Sequence, residues 1–91
     1  MTPVTSEAEI FGRVFEPVTV RMSAEAARAI VKLDFGTTDR KRMNTLAEKA
    51  RRGTLSKKED EELESYIRVG HLLAIMQSKA RKVLKRGIKD D

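Results

Sequence analysis

Few residues in this chain are equipped for chemistry, and their surroundings argue against catalysis. His71 is the single histidine and there is no cysteine. No carboxylate stands at ligand spacing on the face of His71, so a metal bound there would lack its second and third ligands. Glu59, Asp60, Glu61, Glu62 and Glu64 could be read as a paired acid and base. They fall, however, in the first turns of an exposed helix, where nothing would desolvate them and raise a pKa. The positive end of that helix explains them better. Ser56 and Ser78 have no base to activate them, and no glycine-rich phosphate loop is present. The expectation is a chain without enzymatic activity and without a cofactor.

The cations are harder to place. Nineteen Lys and Arg against fourteen Asp and Glu leave a net charge of +5 on 91 residues, enough to attract nucleic acid or an acidic protein yet ordinary for a small domain. Arg40, Lys41, Arg42, Lys49, Arg51, Arg52, Lys57 and Lys58 form a basic block interrupted by Glu48 alone, and a second group follows from Lys79 to Lys89. Such a block could track a phosphate backbone or simply solvate a helix face, and the residues leave both readings open.

The elements that must position these groups are mainly helical. Charged residues make up 36% and aromatic residues 4% of the chain, a balance that favours long amphipathic helices over an aromatic-rich sandwich or barrel. Residues 1–12 lack periodicity and read as a loose leader. The alternation of Val18, Val20 and Met22 against Thr19 and Arg21, entered after Pro17, predicts a short strand or extended segment. Ser23 is placed to cap a helix running through AEAARAIVKLDF to Gly36, and a second short helix is expected from Arg40 to Arg52, stopped by Gly53. A single helical domain over 13–86 and a tail over 87–91 complete the plan.

The longest element begins at Ser56, where Ser56 and Glu59 have the S-x-x-E spacing of a capping box. It is expected to run over about 56–86, roughly 30 residues or ~45 Å at ~1.5 Å per residue. Tyr66, Val69, Leu72, Leu73, Met76, Ala80, Val83 and Leu84 project as one broad stripe, while Leu63, Ile67, Gly70 and Ala74 form a narrower line. Two packing faces on one helix imply a surface for another chain, and Tyr66, Ile67, Leu72, Leu73 and Met76 are its expected anchors. No apolar run approaches the ~20 residues of a membrane span; with no cysteine and no secretion signal, the expected setting is the cytoplasm.

The phrase VTVRMSAEAARAIVKL, within Pro17 to Ala50, resembles the ribbon-helix-helix repressors, a family that includes many bacterial antitoxins. That resemblance implies a strand paired with its twin across a dimer axis and inserted in the major groove of DNA. The residues reading bases would then be Thr19 and Arg21, with Arg40 and Arg42 in support. From Met43 to Arg81 the chain also resembles a family of small bacterial proteins of unestablished function that look like companions of nuclease genes. The resemblance is carried by Gly53, Leu55 and Ser56 at the turn, Glu62, Leu63 and Tyr66 in the helix, and then Leu72, Leu73, Gln77, Lys79, Ala80 and Arg81.

The leading expectation is therefore a non-enzymatic, antitoxin-like interaction module whose partner is another protein chain such as a nuclease toxin. A DNA-binding regulator of the ribbon-helix-helix type and a structural homodimer are the alternatives. No membrane association is expected.

Overall fold

The computed structural model describes residues 6–89, which form four α-helices: α1 (Glu7–Arg21), α2 (Ala24–Val31), α3 (Thr37–Arg52) and α4 (Lys57–Lys89). There is no strand among the described residues. The chain divides into two compact units, one containing α1, α2 and α4 from His71 onward, the other spanning Asp34–Gly70 with α3 and the first part of α4.

In the first unit, the expected leader and strand are replaced by α1. Residues 7–12 of the expected leader are helical, and residues 1–5 lie outside the described part. The helix opens on a full capping box: the Ser6 N–H donates to Glu9 Oε1 at 3.0 Å and the Glu9 N–H donates to Ser6 Oγ at 3.1 Å. Its acidic first turn, Glu7 and Glu9, suits the positive end of the helix dipole. The helix then continues through Pro17, Val18, Thr19 and Val20, where an extended segment was expected.

Three features favoured the strand. Proline in a helix interior removes a hydrogen bond, the residue before it resists the helical region, and β-branched residues have modest helix propensity. Tertiary packing outweighs them. Phe11, Phe15, Thr19 and Met22 recur with helical spacing on one side, and each is buried or half-buried. Phe11 and Phe15 stack with ring centroids 5.8 Å apart. Thr19 is only 6% exposed, and its hydroxyl donates back to the Phe15 carbonyl at 3.4 Å. In a strand the odd spacing from Thr19 to Met22 would set those two on opposite faces, whereas the helix keeps them on one side.

Met22 and Ser23 are extended and turn the chain into α2, with Ser23 Oγ accepting from the Ala26 N–H at 3.0 Å. The helix ends at Val31, well before Gly36. Gln77 on α4 accounts for the early stop, since its Nε2 donates to the carbonyls of Ile30 (3.3 Å), Val31 (3.0 Å) and Leu33 (2.8 Å). A side chain from a distant element thus satisfies carbonyls that another helical turn would otherwise have used. The core of this unit is Ala27, Ala80 and Val83, flanked by half-buried Met22, Ile30, Val31 and Leu84.

In the second unit, Gly36 occupies the N-cap of α3 with φ −69°, so it begins a helix rather than closing one. Gly53 ends α3 with φ 71°, the left-handed conformation glycine adopts without steric cost. Its N–H donates to the Ala50 carbonyl at 3.1 Å and that of Thr54 to Lys49 at 2.9 Å, the two bonds of a Schellman ending. Ser56 and Glu59 then make both capping-box bonds, at 3.0 and 3.1 Å. Leu46 is fully buried here. Helix α4 continues to Lys89, so residues 87–89 of the expected tail are helical and residues 90–91 lie outside the described part.

Two substitutions test these assignments. Pro17→Ala restores a helical N–H, and thermal denaturation should show a gain of about 1–3 kcal/mol; a strand at this position would gain no helicity and no such stability. Gln77→Leu strands the α2 carbonyls and should cost about 1–3 kcal/mol in urea unfolding.

Candidate interaction surface

Of the carboxylates weighed for chemistry, Glu59 and Glu62 are engaged by cations of α3 in the second unit. Arg42 makes a bidentate pair with Glu62, Nε to Oε2 at 2.9 Å and a terminal nitrogen to Oε1 at 2.8 Å, a geometry that suits the planar guanidinium. Glu59 receives hydrogen bonds from the Lys49 ammonium and the Ser56 N–H, which hold its carboxyl down to about 2. The Arg42 hydrogen bonds hold Glu62 below the ordinary carboxylate range. Carboxyls so strongly biased toward the ionised form are poor general acids near neutrality. Among the described residues, no group of His, Asp or Glu is arranged to hold a metal ion.

The same pairing consumes most of the basic block. Arg40 bonds Asp34, Arg42 bonds Glu62, Lys49 bonds Glu59, and Arg51 and Arg52 both reach Glu48. Lys41, Lys57 and Lys58 are exposed and join no ion pair with a described residue. The base-reading arrangement expected of Thr19 and Arg21 has lost the strand it required. Thr19 is buried in α1, while Arg21 stands exposed on nearly the opposite side of that helix.

The expected partner anchors have different environments. The Tyr66 hydroxyl donates to Asp39 Oδ1 at 2.7 Å, which raises its pKa, and its ring meets Phe35 edge-on at 5.9 Å. Leu72, Leu73 and Met76 are half-buried. Ile67, at 48% exposure, is the one of the five classed as exposed.

A surface outside those expectations lies on α1. Ile10, Val14 and Val18 follow one another at intervals of four residues and are 46%, 68% and 50% exposed, forming an apolar stripe with no covering element among the described residues. The sequence carried two signals for it, the Ser6–Glu9 capping spacing and the helical recurrence of apolar residues from Ile10 to Met22. Both were masked by the period-two pattern after Pro17.

Farther round α1 is a concavity of about 340 Å³ lined by Glu16, Thr19, Lys79, Lys82, Lys85 and Arg86. Lys79 pairs with Glu16 at 2.7 Å, and that hydrogen bond, aided by the charges of Lys82 and Arg86, lowers the Glu16 pKa. The remaining cations give the concavity a positive potential that favours an anion. They also complement the negative C-terminal end of α4. No family model, curated protein or solved structure matches the chain.

The acid response of the second unit follows from its depressed carboxyls. A group whose folded pKa is lowered stabilises the fold above its ordinary value and loses that effect as pH falls through the folded one. For Glu59 the window runs from 4.5 down to about 2. Circular dichroism should therefore detect progressive loss of stability below pH 4.5, and Glu59→Gln should flatten that dependence. A wild-type stability profile flat across the window would contradict the network.

Proposed function

We propose that this chain is a non-enzymatic helical interaction module that presents the α1 stripe of Ile10, Val14 and Val18 to a partner protein chain. The stripe is the observation that carries the reading. Three aliphatic side chains aligned on one helix and left 46–68% open give a helix-in-groove or helix-on-helix contact its usual anchors. The first unit also has a thin core of two alanines and a valine, so cover supplied by another chain would stabilise it by mass action.

The magnitudes are consistent with recognition of moderate strength. Full burial of one Val or Ile contributes about 1.5–3 kcal/mol, so completing the burial of three partly open ones yields a few kcal/mol before association costs are subtracted. A micromolar complex requires about 8 kcal/mol net, so further contacts must add to the stripe. The concrete form suggested by the sequence resemblance is an antitoxin-like companion that packs on a nuclease or similar protein.

Val14→Lys is the direct test. Val14 is 68% exposed, so the substitution should leave helix content within measurement error while reducing retention of a co-purifying or self-associating chain at least tenfold. Unchanged association in the variant would remove the stripe from the interface.

A further inference from the structure

We infer that the occupant of the α1 stripe is a second copy of this chain, with two α1 helices pairing antiparallel about Val14. The inference rests on the reading of α1 as an interaction face and names its partner. At about 100° per residue, Glu7, Ile10, Val14, Val18 and Arg21 fall within an arc of about 80°. Ile10 and Val18 are each four residues from Val14, and Glu7 and Arg21 are each seven residues from it. The face is therefore self-complementary under a two-fold axis through Val14, as an isologous interface requires.

In that pairing Ile10 meets Val18 of the second copy, the two Val14 side chains meet on the axis, and Glu7 faces Arg21 at both ends. The charges match in sign at each meeting point. Glu7 and Arg21 are exposed, and neither forms an ion pair with a described residue of its own chain. A parallel pairing would instead set Glu7 against Glu7 and Arg21 against Arg21. Antiparallel helices also bring the positive end of one dipole beside the negative end of the other.

The chain's other exposed valine on α1 does not share the face. Val20 is 67% exposed but lies roughly 120° around the helix from Val14. One face of a fifteen-residue helix falls short of the ~800 Å² per partner of a standard interface. The dimer is accordingly weak, with a dissociation constant on the order of 10–100 µM.

Sedimentation equilibrium of the full chain across that concentration range tests the pairing through a charge exchange. Glu7→Lys sets Lys against Arg at both ends, and Arg21→Glu sets Glu against Glu, so each variant alone should self-associate roughly tenfold more weakly. An equimolar mixture should recover wild-type association, because the mixed pair again has opposite charges at both ends. Since the chain has no native cysteine, Val14→Cys adds a second arm: it should cross-link to dimer on oxidation, where Cα atoms must approach within about 7 Å. Val20→Cys under the same conditions should not.

Dimerisation insensitive to both charge variants and to their mixing would overturn the antiparallel pairing. A strictly monomeric wild type that still loses a different co-purifying protein on Val14→Lys would overturn self-pairing and leave the broader interaction reading standing. A monomer whose associations ignore Val14→Lys would overturn both.

Discussion

Buried apolar side chains are scarce among the described residues, and the rest of the structure follows from that shortage. Among the described residues, the buried hydrophobic side chains are Ala27, Ala80 and Val83 in one unit and Leu46 in the other. An alanine offers a single methyl group, and a buried CH₂ contributes only about 0.8 kcal/mol. The two alanines do allow helices to approach closely, and half-buried Met22, Ile30, Val31 and Leu84 gather around them. What such a core cannot do is enclose all sides of α1, whose Phe11, Phe15 and Thr19 side packs inward while Ile10, Val14 and Val18 remain open.

Polar cross-ties extend this small apolar core, and in each unit they end on α4. Gln77 reaches the end of α2 and Lys79 reaches Glu16 on α1; in the other unit Glu62 holds Arg42, Glu59 holds Lys49, and Tyr66 donates to Asp39. The Gln77 bonds matter most for placement, because unpaired carbonyls at a helix end are costly when water is displaced. The ion pairs are solvent-accessible and individually weak. They also engage Glu59, Glu62 and most of the basic block.

Local rules made some of this architecture legible. The Ser56–Glu59 capping box, the Ser23 cap and the left-handed Gly53 depend on a few neighbouring residues, and their spacing states them directly. The early end of α2 was not legible, because the donor that ends it, Gln77, is more than forty residues away. Helix α1 was obscured differently. Its capping spacing and apolar recurrence were present, but Pro17 and the valines beside it gave a short period-two pattern that local propensity favoured and packing overruled. The Tyr66–Met76 region was recognised as apolar, yet periodicity could not reveal that the Tyr66 hydroxyl would be engaged by Asp39 or that the more open stripe would lie on α1.

Methyl-resolved NMR with a soluble paramagnetic probe would test most directly whether the α1 stripe is an interface. The account predicts that the Ile10, Val14 and Val18 methyl groups are strongly broadened by the probe in dilute solution and become protected as the chain is concentrated, while Val20 stays accessible throughout. Equal broadening of Val14 and Val20 at every concentration, and also in the presence of any protein that co-purifies with the chain, would contradict it.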